Sequence, residues 1–234
     1  MNLNLDLTPT EEALKEYSGN GLFISNGMVD VVIDTAYVRQ SKTKDSKSLS
    51  LCLILKKAED EENPKAQTQT IYDAMILRKT DGSVNISGKD LLIKLAVVTG
   101  VNPQSINETE SKIIIAGKDK KEITVDCIPE LSGRKFTGKF QQEFSEYNDK
   151  IYEKVQLLTV FRLSDKATAQ EIDQKDKGVE VELGKQFKLE SEVEIKPKYS
   201  GTLTEEKVKA SRNKTKSEET ANTKPKMSSL LDDE

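Results

Sequence analysis

Apolar residues recur at every second position in a series of short stretches, and that period admits few architectures. Leu49, Leu51, Leu53 and Leu55 alternate with Ser50 and Cys52, and Val29, Val31 and Ile33 alternate with Asp30 and Asp34. A two-residue period sends alternate side chains to opposite faces of a pleated chain, so both stretches predict half-buried strands. The first runs from Leu22 to Arg39 and the second covers Leu49 to Leu55, with a polar, Lys- and Ser-rich loop at 40–48 between them. An acidic, polar loop at 58–69 leads to a third strand, Ile71 to Thr80, closed by an Asp81-Gly82 turn.

The period then changes. Leu91, Leu92, Leu95, Ala96 and Val98, after Gly88-Lys89-Asp90 and before Gly100, fit a helix with one apolar face. A polar loop at 101–112 precedes short strands at Ile113 to Ile115 and Ile123 to Val125, around a Gly117-Lys118-Asp119 turn. Arg134 to Phe144 and Ile151 to Leu163 predict a hairpin turning at Tyr147-Asn148-Asp149. Between 164 and 196 the reading is a short helix near Ala167 to Ile172 and one more strand near Val179 to Leu189. At the N-terminus, Thr8-Pro9-Thr10-Glu11 has the spacing of a capping box with Pro at the first helical position, predicting a helix to about Tyr17.

Three strands, a helix and two later strands give the order of an OB-fold, a Greek-key barrel that binds oligonucleotides across strands 2 and 3 and the adjoining loops. The expected fold is therefore mainly β, an OB-fold-like Greek-key barrel with one or two short helices. A β-meander with an inserted helix has the same order at this level. Residues 197–234 hold 8 Lys/Arg and 7 Asp/Glu but few large apolar side chains. Such a stretch buries too little apolar area to offset its ordering entropy. The expected division is a nucleic-acid-binding domain over 1–196 and a disordered tail over 197–234 with an acidic tip.

Absent residues restrict the chemistry. The chain has no His, so neither a Ser-His-Asp triad nor a Cys-His pair can be assembled. Cys52 and Cys127 are the only thiols, too few for a Cys-rich zinc site or a disulfide scaffold, and they fit a reducing cytoplasm. Met1 to Asp6 lack a basic region followed by an apolar core, and no apolar run approaches the ~20 residues that span a bilayer. A cytoplasmic protein with no membrane partner is expected. Asp30, Asp34, Asp73 and Asp81 could hold Mg²⁺ for a nuclease, but they lack a recognisable catalytic spacing. Gly88-Lys89 fails the phosphate-loop pattern, because residue 83 is Ser and residue 90 is Asp. No enzyme activity and no cofactor are expected.

Charge is unevenly spread. The chain as a whole carries −4, yet Tyr37 to Lys57 contains Arg39, Lys42, Lys44, Lys47, Lys56 and Lys57 against Asp45 alone. Cations at the mouth of a barrel would pair with phosphates and give salt-sensitive binding; the plainer reading is a solvated loop. A second cluster interleaves cations and aromatics in Arg134-Lys135-Phe136-Thr137-Gly138-Lys139-Phe140. Single-strand binders need both, aromatic faces for the bases and cations for the backbone; the plainer reading makes the Phe residues core. The stacking candidates are Tyr37, Tyr72, Phe136, Phe140 and Tyr152, and the phosphate candidates are Arg39, Lys42, Lys44, Lys47, Arg78, Arg134, Lys135 and Lys139. At the C-terminus, Leu230, Leu231, Asp232, Asp233 and Glu234 form an apolar-then-acidic tip. It suits docking on a basic partner pocket, or folding back on the protein's own basic groove.

Four segments together carry a resemblance: Ala36-Tyr37-Val38 to Leu55-Lys56, the helix after Gly88-Lys89, Glu130-Leu131-Ser132-Gly133-Arg134-Lys135-Phe136, and Met227 to Glu234. On these the chain resembles phage-encoded single-stranded DNA-binding proteins with an OB-fold core and an acidic tail, over most of 20–163 plus the tail. The resemblance implies sequence-independent coating of single-stranded DNA in replication, recombination or repair. It implies recruitment of replication or recombination proteins through the tail, and no cofactor. The chain departs from the family in having no Trp, which leaves stacking to Tyr and Phe, and in ending on Glu234 rather than an aromatic. A homo-oligomer is compatible with the sequence, which does not set the oligomeric state. The alternative is a non-enzymatic β-barrel interaction or assembly protein that does not bind nucleic acid.

Overall fold

A computed structural model describes residues 23–41, 46–63, 65–106, 108–116, 121–148 and 150–211. The helix expected at Thr8 to Tyr17, Lys42, Lys44 and the acidic tip at 230–234 lie outside them. Strands β1 (Gly27–Gln40), β2 (Leu49–Lys57) and β3 (Gln69–Arg78) come first, followed by helix α1 (Ile86–Val98). The hairpins β4 (Glu110–Ala116)–β5 (Lys121–Cys127) and β6 (Lys135–Tyr147)–β7 (Lys150–Arg162) come next. Helices α2 (Ala169–Asp176) and α3 (Lys185–Ser191) and the two-residue strand β8 (Lys198–Tyr199) follow. The protein is mainly β, and its named strand pairings are antiparallel except for the parallel β6–β8 contact.

β1 organises the sheet because it is long enough to change partners. Along one edge it pairs with β2 from Val31 to Gln40. Along the other, Gly27 to Val32 pair with β6, while Tyr37 and Val38 pair with β5. The change follows a register shift between Ile33 and Thr35, where Asp34 is an extra residue in β1 and its carboxylate pairs with Lys56 at 2.7 Å. An extra residue bends a strand and sharpens its twist.

Ladders join β3, β2, β1, β6 and β7 in that spatial order, while the β4–β5 hairpin pairs with the other part of the same β1 edge. α1 packs on both β3 and β7, and those two strands pack on each other, but no hydrogen-bonded ladder joins them among the described residues. The apolar positions of this sheet, including Val31, Ile33, Leu51, Leu53, Leu55, Ile71 and Met75, meet Leu95, Ala96 and Val98 of α1 in one buried core. Gly88, expected to lead into the helix, lies inside its first turn. A Cβ there would sit 1.9 Å from the Ile76 carbonyl oxygen, so the missing side chain sets how closely α1 approaches β3.

Two expectations are corrected. The strand expected near Val179 to Leu189 is instead helix α3, starting at Lys185 after Gly184 in the left-handed region at φ 77°. Its start is capped from a distance: the Glu171 carboxylate of α2 accepts the amides of Gly184 and Gln186 while also closing the capping box with Thr168. The packed region also extends beyond 196. β8 joins the edge of β6, Tyr199 stacks on Phe144 with ring centroids 5.5 Å apart, and Leu203 and Val208 are buried there. Residues 205–211 are helical.

Candidate nucleic-acid interface

Hairpin register decides which side chains meet at the end of the sheet. Arg39 of β1 stands opposite Ser50 of β2, and Leu49 stands opposite Arg78 of β3. The Lys47 amide donates to the Thr80 carbonyl at 2.9 Å, tying the β1–β2 loop to the end of β3. Arg39, Lys47, Arg78 and Lys79 therefore collect at one end of three adjacent strands, and all four are exposed. Two of them, Arg39 and Lys79, line a groove of about 720 Å³ together with Ser50, Asp73, Ile76 and Asn85 among others. A second groove shares Asp73, Ile76 and Asn85 with it and continues past the start of α1 to Gln156 and Leu158 of β7.

The geometry of the groove comes from an irregularity in β3. Between Ile71 and Met75 the register against β2 shifts, so extra residues of β3 bulge outward there. Asp73 takes φ 49° in this bulge, a conformation that Asp tolerates better than most side chains. Its carboxylate accepts from Arg39 Nη2 at 2.7 and 2.9 Å and from the Ser50 hydroxyl at 2.5 Å. Tyr72, 44% exposed, turns its ring beneath the Arg39 guanidinium, whose carbon lies 5.8 Å from the ring centroid. Cation and aromatic face are thus held together, within cation–π range.

The other sequence candidates separate. Tyr37 is only 2% exposed and is packed with Cys52, Ile54, Ile114 and Cys127. Burial pushes its phenol well above the usual tyrosine range, and the neighbouring Cys52 adds to the effect. Phe136 and Phe140 are fully buried in the main core. Phe136 stands opposite Val31 of β1, and the Phe140 ring occupies the space beside Gly138 that a side chain there would fill. These three cannot stack on a base while the core is intact. Lys139 is also withdrawn, 8% exposed and ion-paired with Glu190 of α3, which holds that carboxyl below the usual range.

Lys135 is half-buried against Glu61, and Arg134 is exposed with its Nε donating to the Glu130 carbonyl at 3.2 Å. Both lie beside the middle of β1, away from Arg39, since Lys135 pairs with Val32 and the Ile33 amide donates to the Arg134 carbonyl. Tyr152 is 50% exposed near the β6–β7 tip, with Tyr147 68% exposed diagonally across the hairpin. It occupies the face of β7 that carries Gln156, further along the strand from the groove.

Sequence reading passed over Lys79, Ser50, Ile76 and Asn85, and took Asp73 only as a metal candidate. The available signal was the Arg78-Lys79 pair before the Asp81-Gly82 turn. The four aspartates considered for a nuclease each have a separate partner: Asp30 with Lys166, Asp34 with Lys56, Asp73 with Arg39, and Asp81 with Ser83. Among the described residues no three His, Cys, Asp or Glu side chains group as a metal site, and no helix is long and apolar enough to cross a membrane. No protein-family model and no curated protein matches the chain.

Proposed function

We propose that this protein binds single-stranded DNA without reading its sequence, as a non-catalytic coating protein of phage replication, recombination or repair. The observation that carries the reading is the Arg39–Tyr72 pair, a cation over an exposed aromatic ring, beside a groove that Arg39 and Lys79 line, with Lys47 and Arg78 exposed at the same end of the strands. Bases stacked on an aromatic face gain ~1–3 kcal/mol each, while cations beside it follow the phosphates. The strand order β3-β2-β1-β6-β7 agrees with an OB-like barrel, in which this end of strands 2 and 3 is the binding face. Arg134, with Lys135 if it leaves Glu61, would extend the track, and the acidic tip at 230–234 would recruit replication or recombination proteins.

A second reading, an interaction or assembly protein without nucleic-acid binding, is favoured by one observation. Ile113 and Ile115 of β4 are 64% and 65% exposed on a strand whose outer edge is unpaired among the described residues. Anisotropy titration of labelled oligo-dT and a matched duplex, at low and moderate salt, separates the two. The nucleic-acid reading predicts preference for oligo-dT and a log–log salt slope of about −3, since four cations contribute ~0.7 each on a single strand. Absence of binding at low salt would leave the assembly reading.

A further inference from the structure

Asp73 does something unusual for a nucleic-acid groove: it places a carboxylate among the cations. Asp73 is exposed, and its carboxylate is held by polar groups, the Arg39 guanidinium and the Ser50 hydroxyl. Its backbone sits at φ 49° in an outward bulge, so the fold presents this carboxylate to the groove rather than hiding it. Arg39 is half exposed, and the donors it gives to Asp73 are those a phosphate would take.

We propose that Asp73 is a specificity-determining residue of this interface, a built-in anion that selects single strands over duplex; the inference rests on the reading above. Two physical effects combine. An exposed ion pair is weak, so a phosphate can displace the carboxylate from Arg39. The displaced carboxylate stays in the groove and repels any polyanion in proportion to its charge density. Duplex DNA carries one charge per ~1.7 Å of axis and keeps its bases stacked inside, so it meets the full repulsion with no return from Tyr72. A single strand has fewer charges per unit length and can lay a base on the Tyr72 ring.

The test is oligo-dT and duplex affinity, measured by anisotropy on the full chain with Asp73→Asn and Asp73→Glu. Asn accepts a positive φ as readily as Asp, so D73N is expected to fold, and thermal melting checks this. D73N should tighten oligo-dT about two- to fivefold and duplex by more, lowering the single-strand preference at least about twofold. D73E keeps the charge and should keep the wild-type preference. Unchanged or weaker binding by D73N overturns the proposal, as does equal tightening on both ligands or loss of the preference in D73E. A wild-type chain that binds neither ligand overturns the nucleic-acid reading itself, a distinct result.

Discussion

Phe136 and Tyr72 are both aromatic residues on strands of one sheet, but they answer to different forces. Phe136 is enclosed by apolar side chains, and its removal leaves a cavity; Tyr72 is bounded by Arg39 on one side and solvent on the other. Phe136→Ala should cost about 3–5 kcal/mol of folding stability. Tyr72→Ala should change stability by about 0.5 kcal/mol or less, yet weaken oligo-dT binding by ~1–3 kcal/mol. Denaturant unfolding and anisotropy on the same two variants check this. A Tyr72→Ala chain that unfolds easily and binds normally would exchange the roles. The sequence shows that aromatics and cations interleave in β6 but not which face the core takes, since alternation fixes only that two faces differ. What buries Phe136 and Phe140 is their pairing with β1 and their packing in the core that α1 closes, and these contacts are remote in sequence.

Among the elements, α2 and α3 depend on one side chain. Glu171 is 7% exposed, and burial alone would raise its carboxyl. The amides of Gln186, Thr168 and Gly184 more than offset this and hold it below the usual range. A carboxyl depressed in the folded state stabilises the fold fully above its unfolded value, ~4.3, and loses that contribution as pH falls through the folded value. Glu171→Gln should therefore cost about 2 kcal/mol at neutral pH, and the difference from wild type should shrink as pH falls below ~4. Thermal melts at pH 7 and in that acid range check this, and a constant difference would show that Glu171 acts by packing alone. This long-range cap leaves no helix signal in the local sequence of α3: the helix has no acidic first turn, and its capping carboxylate comes from 13 residues before Gly184. The strands and the two hairpins were legible because their period and turns are local. The packing of Tyr199, Leu203 and Val208 was not, because a polar stretch with sparse apolar residues finds its partner, Phe144, more than fifty residues away.

At the scale of the whole molecule, an acidic chain of net charge −4 concentrates exposed cations at one end of its central sheet. The local patch rather than the total then governs contact with a polyanion. Half of this patch was legible, since Arg39, Lys47, Tyr72 and Arg78 were named from sequence, and the fold brings the three cations to one end of the sheet with Arg39 over the Tyr72 ring. The other half was not, because Asp73 and Ser50 join the site only through the β3 bulge, which leaves no local signature. The most direct measurement is photo-crosslinking of an iodo-deoxyuridine oligomer to the full chain, with the modified residues mapped by mass spectrometry. The account predicts a dominant crosslink at Tyr72, lost in Tyr72→Ala and competed away by unlabelled oligo-dT. Crosslinks confined to Tyr147 and Tyr152 at the β6–β7 tip, or none at saturating oligomer, would contradict it.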